Sequence, residues 1–333
     1  MIRQKISVTV VIPACNCENS IAQSVTSALT QTLAPKEIIV INDGSTDRTG
    51  DILKAMGRDI RLIEQENRGQ GAARNAGWNA ASGEYIAFLD ADDYWKPQFI
   101  ETCAAFLNKH AECVAVLTAW EKIIDDNTSV VVPPIMHQEK PHKPFIMDNY
   151  FRFWAEQDNV QTGAILLRKA VMDHAGGMRE DLRMSQDLEY WAYLATFGKW
   201  AFIPRVLYVN NSRINARGSW WKRYRMRRKL CPTVEMWQER IVDNIRDSER
   251  PFFNMGLGRI AAGYAYSKVL GGDGKSARAI VEAYKDSLPV NPVTRLLIMG
   301  NRLGYPAWRF ICGLLMTREI VKDFRLRYKK MTA

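Results

Sequence analysis

Alternation of short β-branched runs with helix-spaced segments over the first hundred residues constrains the fold more than any other feature. SVTVVIPA (7–14), EIIVIND (37–43), IRLIEQ and EYIAFLD read as strands. Between them lie residues 18–32, with Ile21, Val25, Ala28 and Leu29 at helical spacing, then GSTDRTGDILKAM and the small-residue run GQGAARNAGWNAA; PQFIETCAAFLNK follows the last strand. Strand–helix units in succession predict right-handed crossovers and an α/β, Rossmann-like, mostly parallel central sheet flanked by helices. The runs at 37–41 and 85–89 are apolar on both faces, as covered central strands are. Both end in acid. Ligands of open α/β sheets bind beyond the carboxyl ends of the strands, so Asp43 and the Asp90 group are expected to border one crevice.

Past residue 110 the reading is mixed. ECVAVLTAW, TGAILLR (162–168) and FIPRVLYV (202–209) are expected strands, DDNTS a turn, SVVVPP a hairpin partner, and a helix starts near Ser185. From about Trp220 the chain reads as helical and basic, and GRIAAGYAYSKVLGGDGKSARAIVEAYKDSLPVNP holds two helical patterns around a GGDG turn, an appendage and not a repeat array. Charge divides the same way. Residues 1–210 hold 21 Lys and Arg against 26 Asp and Glu, a net of −5; residues 211–333 hold 25 against 10, a net of +15. The C-terminal third is therefore expected to meet something anionic while the N-terminal part does separate work.

MIRQKISVTVVIPA has no small-residue cleavage site, and no apolar run approaches the roughly 20 residues that cross a bilayer, so the expected location is cytoplasmic, or peripheral on the inner face of the cell membrane. Six scattered cysteines without C-x-x-C spacing read mostly as buried thiols in a reducing compartment, and four scattered histidines suggest no histidine metal site.

The acids of FLDADDYW come next. If the backbone stays extended, Asp90 and Asp92 share a face and Asp93 points away. Two hard oxygen donors can share Mg²⁺ or Mn²⁺ with substrate phosphates, whereas an isolated D-x-D is also explained as a solvated acidic turn ahead of a helix.

VIPACN, INDGSTDRT, NRGQGAARNAG, FLDADDYWKP and GGMREDLRMSQDLEYWAYLATFG occur in an order and spacing that resemble family 2 inverting glycosyltransferases of the GT-A fold, of the bacterial cell-surface polysaccharide type, over about residues 6–210. The resemblance implies a GT-A domain over 1–215, its nucleotide-binding part about 1–118 and its acceptor part about 119–215, followed by a basic helical region, 216–333. It implies that Pro13, Ala14, Cys15 and Asn16 line the nucleotide base, with Cys15 where the family often has an aromatic ring. Asp43 would accept from the imide N–H of uracil, and Arg74 would lie near the nucleotide or diphosphate. Asp90, Ala91 and Asp92 form the nucleotide-diphosphate motif, with Asp92 on the metal and Asp90 on ribose or on the metal through water; Asp93 is a capping or packing acid. Asp187, in MSQDLEYW, is implied as the base, with Gln186 where the family has glutamate. The other reading of Asp187 is a helix cap. Gln186, Trp191, Asn210, Asn211 and Arg213 are candidates for the acceptor side.

The implied function is transfer of a sugar from a nucleotide-sugar donor, a UDP-sugar, to a glycan or lipid-linked glycan, without processivity because the chain lacks Q-x-x-R-W and membrane helices. The basic, aromatic segments 219–230 and 318–330 suit an anionic membrane surface or a solvated helix face. Nucleic acid is not an expected partner, because the acidic crevice would then have no purpose. A nucleotidyltransferase would need a basic phosphate loop where PACNCENS has no cation; a catalytically weak or dead scaffold relative stays open, given Cys15 and Gln186.

Overall fold

A computed structural model describes residues 6–123, 130–137, 143–157, 160–211 and 230–317. The expected turn at DDNTS, Arg213, residues 219–229 and the 318–330 segment lie outside the described residues. The chain divides into two compact units, Met1–Asp181 with Ser185–Ala216, and Leu182–Met184 with Arg217–Ala333.

The first unit is an α/β layer structure, with order β1 (Val8–Ala14), α1 (Ile21–Leu29), β2 (Glu37–Asp43), α2 (Thr49–Ala55), β3 (Arg61–Gln65), α3 (Gln70–Ala80), β4 (Tyr85–Phe88), β5 (Tyr94–Trp95), α4 (Phe99–Lys109) and β6 (Cys113–Ile123). Then follow β7 (Val130–Val131), β8 (Phe145–Ile146), α5 (Tyr150–Gln157), β9 (Ile165–Arg168), α6 (Lys169–Ala175), α7 (Gln186–Leu194) and β10 (Lys199–Asn211). The sheet runs β3-β2-β1-β4-β9-β6-β10-β5, with β7 beside β6 and β8 beside β10. β3, β2, β1 and β4 are mutually parallel, as the strand–helix alternation predicts. β9 enters antiparallel between β4 and β6, and β6 and β10 are parallel again.

Strand alternation sorts the core. Val10, Ile12, Val40, Ala87 and Leu89 face one layer with Ile21 and Val25 of α1 and Phe99, Cys103 and Leu107 of α4, all buried. On the opposite face Val11 meets α3 at Gly77, where a Cβ would come within 2.2 Å of Val11 Cγ1. Phe88 packs against Trp191 of α7 at 6.0 Å between ring centroids. α3 can approach the sheet this closely only because it is built of glycine and alanine.

The second unit is helical. α8 (Val234–Val242) is capped by Thr233, whose hydroxyl accepts from Met236 N at 3.1 Å. α9 (Arg250–Leu270) and α10 (Gly274–Tyr284) are the two patterns around GGDG, and Asp273 in that turn caps α10 through Ser276 N. α11 (Pro292–Arg302) begins with a reciprocal Asn291–Thr294 capping box, and residues 305–317 form a last helix.

Candidate active site

The carboxyl ends of β1, β2 and β4 bring the sequence-predicted residues together. After β1, Pro13 and Ala14 complete the strand; Cys15 is exposed, and Asn16 adopts φ 51°. Asn16 holds the turn after β2: its side-chain oxygen accepts from Thr46 N at 2.8 Å, and its own N–H donates to Ser45 Oγ at 3.1 Å. Gly44 in that turn has φ 65°, and a Cβ there would lie 2.7 Å from Asn67 N, so only glycine lets the 67–69 loop approach.

Asp43 explains why. It is 3% exposed, and Oδ1 accepts from Gln65 Nε2 at 2.7 Å and from Arg68 N at 2.8 Å, while Oδ2 accepts from Gly69 N at 2.9 Å. The acid at the end of β2 thus fixes the loop that starts α3, a role its sequence position did not disclose.

α3 carries Arg74, 1% exposed, whose Nη2 donates to Asp90 Oδ1 at 2.6 Å. Its Nε and Nη1 are buried with no hydrogen-bond partner among the described residues. Burial works against the guanidinium charge, yet the carboxylates of Asp90 and then Asp187 hold its pKa above the ordinary value. Arg74 therefore sits within electrostatic reach of both acids.

The acids after β4 do not follow strand alternation. β4 ends at Phe88, and Asp93 N donates to Asp90 O at 3.0 Å, a turn that breaks the extended backbone. Ala91 is buried, Asp90 and Asp92 are half-buried, and Asp93 is 1% exposed. Asp93 accepts from the Tyr208 hydroxyl, from Asn210 Nδ2 at 3.0 and 3.2 Å, and from Asn211 N at 2.7 Å. Burial, then the charges of Asp90 and Asp92, push its pKa up to about 8. It is a packing acid that ties the acidic turn to the end of β10.

α7 begins at Gln186, after Ser185 in the left-handed conformation at φ 58°. Asp187 lies in its first turn and is not its cap; Oδ2 accepts from Thr162 Oγ1 at 3.2 Å and Oδ1 from Leu188 N at 2.9 Å. Buried Gln186 packs near the start of α3: its amide is 3.4 Å from Gln70 Oε1, and a Cβ on Gly71 would lie 3.6 Å from its Cγ. Asn75 clamps the preceding loop twice, donating to Met178 O and accepting from Met178 N, both at 2.8 Å. Burial and then the Asp187 charge raise the pKa of Tyr150, which places that hydroxyl in the same field.

One acceptor-side expectation needs correction. Trp191 is fully buried against Phe88 and Tyr190, so its ring is core and offers no sugar platform. Asn210, through its side-chain amide, and Asn211, through its backbone N–H, donate to Asp93 and so brace the acidic turn. Thr162, Gln65 and Tyr208, which hold Asp187, Asp43 and Asp93, went unnoticed in the sequence; TGA ahead of a strand was the one local cue for Thr162.

Among the described residues no three His, Cys, Asp or Glu side chains are grouped to hold a metal by themselves. Asp92 and Asp90 still fit a hard divalent cation that takes its remaining oxygens from substrate phosphate, and the crowding that raises Asp93 is what such a cation would relieve. Asp90 is shared with Arg74, so Asp92 would be the principal donor to such a cation.

Residues 9–174 match the family model described as Glycosyl transferase family 2. GlyA, a glycosyltransferase of Streptococcus pneumoniae serotype 4, is 27% identical over 254 residues, 75% of this chain and 35% of GlyA. The Escherichia coli UDP-Glc:alpha-D-GlcNAc-diphosphoundecaprenol beta-1,3-glucosyltransferase WfaP is 46% identical over 91 residues, 26% of this chain and 36% of WfaP. The chain thus spans about a third of the length of these curated relatives. The solved structure of mannosyltransferase PcManGT from Pyrobaculum calidifontis, in complex with GDP-Man and Mn²⁺, matches with a TM-score of 0.54 at 18% identity, over 97% of this chain and 88% of that one. At that identity the likeness concerns the fold. The chain belongs to glycosyl transferase family 2 through its first unit, and its fold is GT-A.

Proposed function

We propose that the protein is an inverting, non-processive glycosyltransferase that moves one sugar per encounter from a UDP-sugar to a glycan or lipid-linked glycan in cell-surface polysaccharide synthesis. Arg74, buried within reach of both Asp90 and Asp187, is the observation that carries this reading, because it links the acid expected at the donor phosphates to the acid expected at the acceptor. Residues 1–118 would hold the nucleotide, residues 119–215 the acceptor, and 216–333 a separate basic region, at the cytoplasmic face of the membrane.

The acceptor hydroxyl forms a new bond to the anomeric carbon as the bond to the departing nucleoside diphosphate breaks on the opposite face. Asp187, steadied by Thr162, takes the hydroxyl proton as the oxygen attacks. A divalent cation on Asp92, Mn²⁺ or Mg²⁺, would supply charge neutralisation of the leaving diphosphate. Asp90 holds Arg74 in place beside it.

Base recognition falls to Asn16, Cys15 and Asp43. A carboxylate offers about four acceptor positions, and Asp43 uses three of them within the protein, leaving one for an imide N–H of uracil. WfaP, by its name, uses a UDP-sugar and a diphosphoundecaprenol-linked acceptor, which supports the same pair of substrate classes here. PcManGT holds GDP-Man, so the base must be tested directly.

Calorimetric titration with UDP-, GDP-, dTDP- and CMP-sugars, with and without Mn²⁺, does so. A UDP-sugar should bind only with the cation, and Asp92→Ala should abolish that dependence. Failure of every nucleotide sugar to bind would point to a catalytically dead scaffold.

A further inference from the structure

The second unit concentrates its exposed apolar surface in one segment. Among the described residues nine large hydrophobic side chains are exposed, and six of them, Val290, Met299, Leu303, Tyr305, Phe310 and Leu314, fall within residues 290–314. They are set by helical spacing. On α11 Thr294, Leu297 and Gly300 are buried, while Arg295, Met299, Arg302 and Leu303 face outward. In the last helix Trp308, Ile311 and Leu315 are buried, while Arg309, Phe310 and Leu314 are exposed.

Among the described residues the hairpin is held from its inner side. A Cβ on Gly300 would come within 2.8 Å of Ile311 Cδ1, so the two helices meet there in direct contact. Arg278 Nε donates to Asn301 Oδ1 at 2.8 Å, and Trp308 Nε1 to Gly274 O at 2.9 Å. Among the described residues none of these exposed apolar side chains takes part in that seam, and they stay open to solvent.

Charge identifies what does. Arg295, Arg302 and Arg309 interleave with the apolar set, and no Asp or Glu occurs between Asp286 and Glu319. A second copy on this face would bring six arginines together with no carboxylate in the segment itself, and Glu282, which reaches Asn301, is already paired with Lys285, so the approach is repulsive. An anionic lipid surface reverses the sign: phosphate headgroups meet the guanidinium groups while Leu303, Tyr305 and Phe310 enter the headgroup layer. No helix among the described residues is long and apolar enough to cross a membrane, so the hairpin would lie on the surface.

We propose that the 290–317 hairpin is a docking surface for anionic lipid. The inference concerns the second unit alone and does not depend on sugar transfer. It is tested with the full chain by cosedimentation with vesicles of phosphatidylcholine, with and without phosphatidylglycerol. Wild type should partition onto the anionic vesicles only. Replacing the three arginines (R295Q, R302Q, R309Q) should weaken partitioning about a hundredfold, roughly fivefold for each. Leu303→Asp with Phe310→Asp, which touches only exposed residues and should leave the thermal melt unchanged, should weaken it at least tenfold. Three results would overturn the proposal. One is equal binding to neutral vesicles. Another is unchanged binding by the Leu303/Phe310 variant, which would assign attachment to other basic segments. The third is a wild-type dimer in sedimentation that the same variant dissociates.

Discussion

Replacing Asp93 by alanine should destabilise the first unit by about 3 kcal/mol, working from the donors it would strand. The Tyr208 hydroxyl, 1% exposed, would lose its acceptor in a dry site, at a cost of about 2–3 kcal/mol. The Asn210 amide and the Asn211 N–H are half-buried and can partly turn to water, so each costs about 1 kcal/mol. Against this, the carboxyl's own burial, an expense of about 1–2 kcal/mol, is recovered. Asp93→Asn keeps one acceptor oxygen in the same shape and should cost about half as much. Urea unfolding at about pH 4, where the protonation of Asp93 costs the fold little, followed by tryptophan fluorescence, measures both variants. An alanine variant as stable as wild type, or less damaging than asparagine, would refute the assignment of Asp93 as the acceptor that joins β10 to the acidic turn.

Asp187→Asn should keep the Thr162 contact and shift donor binding, through Arg74, far less than it lowers the transfer rate, which should fall by about 10²–10⁴, the range for loss of a general base; single-turnover transfer and calorimetry on the same variant separate the two effects. Gly77→Ala should cost about 1–3 kcal/mol by overpacking, because its Cβ would meet Val11 Cγ1 at 2.2 Å, and a thermal melt reads it. Asp93, with its pKa pushed up to about 8, binds a proton in the fold at pH values where the unfolded chain has released it. That contribution is complete below about pH 4 and is lost as pH rises toward 8, with a slope of up to about 1.4 kcal/mol per pH unit. In chelator-treated protein the slope should be present in wild type and absent in Asp93→Asn.

The strands and helices of the first hundred residues were legible because each has a strong local period and ends in a turn residue or an acid. β9 was legible as a strand but not as the one that separates β4 from β6, since local pattern cannot say where a strand inserts. Alternation through Asp90, Asp92 and Asp93 failed at Leu89, where the chain turns; Asp93 proved the odd acid because Tyr208 and Asn210, more than a hundred residues away, fold onto it. The same distance hid the contacts that Asn210 and Asn211 make with Asp93. Trp191 carries an aromatic ring suited equally to a sugar or a core, and only the neighbouring Phe88 decides between them.

Arg74 has one positive charge and two acids that feel it, and this bears on how variants combine. Removing Asp90 leaves the guanidinium to Asp187, and removing Asp187 leaves it to Asp90, so either loss redistributes the same counterion. Effects of the two substitutions should not multiply in a double-mutant cycle. Donor and acceptor ends of the crevice would then act as one electrostatic unit, with substitution at either end retuning the other.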